Sequence, residues 1–244
     1  MGVRHLNRYL IAQCPRGIHS MRFSSLQNRT IAIDASIYLY KFKASNALIE
    51  RTKSMISSFA AYNISPIFVF DGKPLSIKRD EINRRKRAGP RIHVTRSDVS
   101  EVKSILDNAC VRYIDAPSEA DEICARLVMN RQAYACMSND MDMLVYGCDR
   151  VLRDVNFERG LATMYTLETI LRYLDMPLSD FRQLCIASGT DYYRPEGKTL
   201  YTFTALYSEY RRTEQYGKFL EWLNSKHQVD DYAKASVAYE TFKI

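Results

Sequence analysis

Five short runs of β-branched, aromatic and other apolar residues punctuate the chain, each ending at or just before a polar or acidic position. They are Thr30–Asp34, Pro66–Asp71, Arg112–Asp115, Ala133–Met137 and Val151–Val155, all of strand length. Between them, apolar residues recur at helical spacing near Ile37–Asn46, Lys53–Tyr62, Asp98–Asn108 and Ser118–Met129. Such alternation predicts an α/β fold with a mostly parallel, twisted central sheet flanked by helices. Beyond about Thr166 the pattern turns helical to the end of the chain. The expected organisation is therefore a core over residues 1–166 and a C-terminal helical region over 167–244. Neither a repeat nor a low-complexity linker interrupts it.

Composition narrows the partners. A hydrophobic fraction of 46% and a charged fraction of 26% are ordinary for a folded domain. The formal net charge of +7 is not. It favours a polyanion, because each phosphate neutralised by Lys or Arg releases condensed counterions. Cys14, Cys110, Cys124, Cys136, Cys148 and Cys185 form no C-x-x-C pair, and the histidines show no H-E-x-x-H spacing. Neither a disulfide framework nor a zinc site is expected, and the cysteines read as reduced thiols of an intracellular protein. No apolar stretch is long enough to span a bilayer. Arg4, Asn7 and Arg8 break any signal-peptide run, and Leu6 stands where a myristoylation motif needs Ser or Thr.

The acidic residues carry the candidate chemistry. Asp34 closes Ile31-Ala32-Ile33, Asp71 closes Ile67-Phe68-Val69-Phe70, and Asp140 and Asp142 follow Ala133–Met137 through Ser138 and Asn139. Open α/β sheets place function at the carboxyl ends of strands, and a carboxylate there is costly unless paired or bound to a cation. Glu119 and Asp121 open the next helix. Taken alone, Ser118 and Asp121 read as an S-x-x-D capping box, and Asp191 as a turn residue. Their accumulation changes the reading. Crowded carboxylates repel unless divalent cations lie among them, and hard oxygen ligands without His or Cys suit Mg²⁺ or Mn²⁺. Two such ions about 3.5–4 Å apart are a known arrangement for phosphodiester cleavage. The densest basic run, Lys78–Arg87, closely follows Asp71, which favours a functional role over a merely solvated helix face.

The blocks Met1-Gly2-Val3, I-A-I-D-A-S-I-Y-L-Y (31–40), F-V-F-D-G-K-P (68–74), A-P-S-E-A-D (116–121), N-D-M-D-M-L (139–144) and L-C-I-A-S-G-T-D-Y (184–192) closely resemble the flap endonuclease family, the XPG-like structure-specific 5′ nucleases. They occur in the family's order over roughly residues 1–192. The resemblance implies a PIN-like nuclease core with an arch segment over 72–110. It implies a metal-ligand set of Asp34, Asp71, Glu119, Asp121, Asp140, Asp142 and Asp191, holding two Mg²⁺ ions for which Mn²⁺ substitutes. Lys78 and Arg85 would reach the scissile phosphate, with Arg84 also binding substrate. Tyr40 looks like the base-stacking aromatic, although a core tyrosine is the plainer reading without the family match. Gly189 resembles the glycine that lets DNA approach, and Gly2 the residue whose freed amine lies near the active site. The implied activity is Mg²⁺-dependent hydrolysis of flapped or branched DNA at double-strand/single-strand junctions, endonucleolytic and also 5′–3′ exonucleolytic, leaving 5′-phosphate and 3′-hydroxyl ends. Replication, repair and recombination, in the nucleus or at cytoplasmic or viral replication sites, are the processes that such an enzyme serves.

The departures are equally specific. Asp71 and Glu119 lie 48 positions apart, which implies a shortened helical arch. His5 stands in the place of a family glycine. Where the family carries a G-I-G-P helix-two-turn-helix with a monovalent cation, this chain reads Tyr192-Tyr193-Arg194-Pro195-Glu196-Gly197-Lys198-Thr199. Gly197-Lys198-Thr199 lacks the upstream glycine of a nucleotide loop and is not read as one. No sliding-clamp peptide is evident, the compact form suggests a viral or otherwise minimal member, and a homodimer through the C-terminal helices stays open. The rivals are a Holliday-junction or bubble nuclease of the same family, an enzyme acting on RNA, and a non-catalytic scaffold that binds branched DNA.

Overall fold

The computed structural model describes residues 2–73, 92–213 and 217–244. Its contacts divide into two units, one of residues 18–139 and 148–166, the other of residues 1–17, 140–147 and 167–244.

The first unit is built on a seven-stranded sheet. Its strands are β1 (Ile18–Arg22), β2 (Thr30–Asp34), β3 (Ser65–Phe70), β4 (Arg112–Asp115), β5 (Ala135–Met137), β6 (Arg150–Asn156) and β7 (Leu161–Thr166), in the order β1-β7-β6-β5-β2-β3-β4. The five strands expected from apolar runs are the parallel ones, running from β6 through β5 and β2 to β3 and β4. Two further antiparallel pairings, β6 with β7 and β7 with β1, close one side. The central strands β2, β3 and β5 are buried along most of their length and read as near-continuous apolar runs, whereas β4 at the edge has no buried position.

Helices α2 (Ala35–Ala44) and α3 (Leu48–Ala61) connect β2 to β3, and α4 (Arg96–Asn108) precedes β4. Tyr38, Leu39 and Phe42 of α2, Met55 and Phe59 of α3, and Val102 and Leu106 of α4 bury against Ile31, Ile33, Phe68 and Phe70. On α5 (Ala120–Met129), Cys124, Ala125 and Val128 are buried where that helix packs on β2, β3 and β5. Helix α4 begins with a true capping box: Thr95 Oγ1 accepts from the Asp98 amide, and the Asp98 carboxylate accepts from the Thr95 amide. Lys43 on α2 pairs with that same Asp98. Its ammonium, aided by the Thr95 donors, holds the Asp98 carboxyl down at about 2. The end of α2 is thereby tied to the start of α4.

The second unit is helical. Its elements are α1 (Leu6–Gln13), α6 (Asp142–Tyr146), α7 (Leu167–Leu174), α8 (Leu178–Ser188), α9 (Leu200–Tyr210), α10 (Phe219–Ser225) and α11 (Tyr232–Phe242). Every residue of α8 from Phe181 to Ser188 is buried, and α6, α9, α10 and α11 all pack on that helix. A helix buried on all sides is the expected centre of such a unit. Among the described residues, no helix is long and apolar enough to cross a membrane.

Candidate metal centre

In the helical unit, Asp140, Asp142 and Asp191 bring one carboxylate oxygen each to within 4.8 Å of one another. All three are buried, at 5%, 2% and 7% exposure. Local structure accounts for the approach. Asp142 opens α6, and its amide donates to Asp140 Oδ1 at 3.0 Å, which folds the Asp140-Met141-Asp142 turn onto itself. Helix α8 ends at Ser188, whose hydroxyl donates back to the Leu184 carbonyl. Gly189 follows with φ +104, a conformation that suits glycine. The next loop is organised by Thr190, whose Oγ1 accepts from the Tyr192 and Tyr193 amides and whose amide donates to the Tyr193 carbonyl at 2.7 Å. Asp191 sits inside that turn.

Gly2 lies flush against this cluster. A Cβ there would collide with Asp140 Oδ1 and come within 2.7 Å of Asp142 Oδ1. Gly2 thus sits beside Asp140 and Asp142. His5, which stands where the family has glycine, adopts φ 62 and ψ −1, the left-handed region. A residue with a side chain carries a modest strain in that region.

The sheet unit holds the other four acids. Asp34 ends β2 and is buried, accepting from the Ser138 hydroxyl at 3.1 Å. Register explains this contact: β2 and β5 run parallel with Ile33 beside Met137, so the next residues, Asp34 and Ser138, are neighbours. Asp71, exposed, follows β3. Its Oδ1 accepts from the Ala120 amide at 2.7 Å. Glu119 and Asp121, both half-buried, flank that amide at the start of α5.

The capping box that Ser118 and Asp121 suggest when taken alone does not form. Helix α5 begins at Ala120, its N-cap is Glu119 with no side-chain cap, and the acceptor comes from Asp71. The loop is held to β3 by the Gly72 amide donating to the Ser118 carbonyl at 2.7 Å. A carboxylate at a helix N-terminus also meets the positive end of the helix dipole.

Of the remaining expected residues, Tyr40 on α2 is 50% exposed and no part of the core. Lys78, Arg84 and Arg85 lie outside the described residues, as do residues 74–91 of the expected arch segment 72–110, whose later part carries helix α4. Ser138 was read only as a link between strand and acids, and its hydrogen bond to Asp34 gives it more. Asn139 was likewise passed over. The Arg153 guanidinium donates to its carbonyl at 3.1 Å, and its side-chain oxygen accepts from the Asp154 amide at 3.0 Å. Both contacts fix the residue just before Asp140.

Chemically, three buried carboxylates at this separation repel one another, and a divalent cation would offset that repulsion. The donors are all hard oxygens, as Mg²⁺ and Mn²⁺ prefer. The cluster fits such an ion.

Solved structures share this architecture. The catalytic core of Rad2 in complex with DNA substrate matches with a TM-score of 0.80 at 23% identity, over 99% of this chain and 86% of that one. Flap endonuclease-1 from Methanococcus jannaschii matches with a TM-score of 0.71 at 21% identity, over 93% and 81%. The fold is thus that of the PIN-like nucleases. Residues 1–90 match the XPG N-terminal domain and residues 110–191 the XPG I-region, together more than two thirds of the chain. The chain belongs to the XPG-like flap endonuclease family. Flap endonuclease 1 of Leishmania braziliensis is 30% identical over 243 residues, covering 79% of this chain and 60% of that protein. Flap endonuclease 1 of Cryptosporidium parvum is 28% identical over 251 residues, covering 79% and 50%. The chain therefore spans roughly half to three fifths of the length of these relatives.

Proposed function

We propose that this chain is a structure-specific nuclease that hydrolyses one phosphodiester of flapped or branched DNA, with divalent cations held by its acids. Asp140, Asp142 and Asp191 would hold one ion. Asp34, Asp71, Glu119 and Asp121 supply the further ligands that the family assigns. Mg²⁺ is the expected ion, with Mn²⁺ able to substitute. When bound, the ions supply Lewis-acid charge at the scissile phosphate and ease deprotonation of the attacking water. The observation that carries this reading is the buried carboxylate triad, whose crowding makes sense with a cation.

The chain's own residues then have separate duties. The triad and its fixed turn hold ligand oxygens in place before any substrate arrives. Tyr40 offers an exposed ring on which a base can stack, a contact worth about 1–3 kcal/mol. Gly189, beside the last acid, keeps bulk away from the DNA backbone. Lys78, Arg84 and Arg85 bind the phosphate and offset charge that develops on it. Residues 167–244 contribute Asp191 to the ligand set and bind duplex DNA. Products would carry 5′-phosphate and 3′-hydroxyl ends, and the protein works wherever DNA is replicated, repaired or recombined inside the cell.

The test is a panel of 5′-labelled substrates: double flap, gapped, nicked, bubble and four-way DNA, each with Mg²⁺ and with EDTA. Metal-dependent incision near the base of a 5′ flap, ahead of the other structures, is the expected result. Preference for the four-way or bubble substrate would shift the reading to a junction or bubble nuclease. Tight binding without any cleavage in Mg²⁺ or Mn²⁺ would replace the enzyme with a DNA-binding scaffold.

A further inference from the structure

Helix α6 has five residues, too few to be stable by itself. It opens with Asp142, so whatever fixes the helix also fixes that carboxylate. Its C-terminal end, at Val145 and Tyr146, is fully buried, where carbonyls without partners are costly. Arg182 of α8 meets them with a two-pronged grip: Nε donates to the Val145 carbonyl at 2.8 Å and Nη2 to the Tyr146 carbonyl at 3.1 Å. A cation at a helix C-terminus also complements the dipole. Arg182 is only 9% exposed. It sits on the helix that leads, nine positions on, to Asp191. One side chain thus couples the segment bearing Asp142 to the segment bearing Asp191.

A second link runs beside it. The hydroxyls of Tyr146 and Tyr192 lie 2.7 Å apart, and Tyr192 is the next residue after Asp191. Both rings meet Phe242 of α11 edge-on, with centroids 4.7 and 5.1 Å away. Burial pushes the Cys185 thiol up, the Asp142 carboxylate pushes it further, and Arg182 opposes them. Cys185 therefore feels both the acid and the guanidinium.

We propose that Arg182, supported by the Tyr146–Tyr192 pair, is a positioning residue that sets the divalent-cation affinity of the Asp140, Asp142 and Asp191 triad. It does so by holding α6 and the Asp191 turn in register. This inference rests on the reading of the triad as a metal centre. Partners that orient metal ligands typically change affinity by about 10–100-fold when lost.

The test is Mn²⁺ binding to the full chain without DNA, read from the free-ion signal in electron paramagnetic resonance. Wild type is compared with Arg182→Met, Arg182→Lys, Tyr192→Phe and Asp140→Ala. Arg182→Met should weaken Mn²⁺ about tenfold or more. Arg182→Lys should fall between, because an ammonium reaches the carbonyls without the planar fork. In cleavage assays the Arg182→Met defect should lie in the half-saturating Mg²⁺ concentration and disappear at saturation, which a general loss of structure would not do. Wild-type Mn²⁺ affinity in folded Arg182→Met, or a cleavage defect that excess Mg²⁺ leaves in place, would overturn the proposal. Should Arg182→Met not fold, Tyr192→Phe decides. It removes one oxygen, and an unchanged affinity there would overturn the proposal as well. Wild type that binds no Mn²⁺ through Asp140 would overturn the metal-centre reading itself, and this inference with it.

Discussion

Asp140, Asp142 and Asp191 crowd within 4.8 Å of one another and are buried, with the Asp142 amide on Asp140, whereas Asp34 and Asp71 each meet a donor from a neighbouring element of the sheet unit. Asp34 accepts the Ser138 hydroxyl, and Asp71 accepts the first amide of α5. Each of these two has a structural job in addition to any catalytic one. In the triad the fold spends stability to hold like charges together, and a cation is the natural compensation. The contrast separates acids whose donors tie elements of the sheet unit together from acids crowded against one another, and these should behave differently under mutation.

The largest effect should come from Asp140→Ala. Loss of one electrostatic group at a reacting centre lowers rates by about 10²–10³, while affinity for the uncleaved junction stays close to wild type. Single-turnover cleavage alongside binding anisotropy measures both, and equal loss of the two would place Asp140 in DNA binding instead.

Next is a stability effect of opposite sign to the usual one. In EDTA, Asp140→Asn should stabilise the protein by about 1–3 kcal/mol, since repulsion between unit charges at this separation is of that order in a protein interior. Thermal denaturation should show the gain shrinking as Mg²⁺ is added to both proteins. A mutant less stable than wild type without metal would mean that the triad is not under strain.

Asp71 should behave as a cap. Asp71→Ala is expected to cost about 1 kcal/mol, and Asp71→Asn, which keeps an oxygen acceptor, only a few tenths. Denaturant titration in EDTA checks the pair, and equal losses would deny the carboxylate its capping role. The smallest effect is expected at His5. Its φ of 62 suits glycine, so His5→Gly should leave stability unchanged or raise it by up to about 1 kcal/mol. A loss above that would show that the imidazole makes contacts outweighing the strain.

Thr30–Asp34 was legible because burial leaves an apolar run that matches the structure at both ends; Arg112–Asp115 matches as well, although this edge strand has no buried position. The antiparallel strands were not legible. Leu161–Thr166 mixes Thr with apolar residues, and Ile18–Arg22 has three exposed positions in five, so neither shows a clear period. Asp34 closes β2, Asp71 follows β3, and Glu119, Asp121 and Asp142 lie at helix starts, positions that the apolar runs mark, whereas Asp140 and Asp191 lie in turns. The support of these acids was not legible. The cap of α5 comes from a residue 49 positions upstream, a fact of strand register that no local motif records. Arg182 reads in sequence as an ordinary charged residue on an amphipathic helix; its grip on α6 exists only after the helices pack. Tyr40, equally ambiguous between core and surface, is settled as exposed by the face of α2 that meets the sheet.

The central claim is that the buried triad is a cation site that makes this chain a nuclease. It is tested most directly by incubating a 5′-labelled double-flap DNA with wild type and with Asp140→Ala in Mg²⁺, with junction binding measured in parallel. The account predicts incision near the junction by wild type alone, dependent on Mg²⁺, with both proteins binding the DNA comparably. Cleavage by Asp140→Ala at the wild-type rate, or none by wild type in either Mg²⁺ or Mn²⁺, would contradict it.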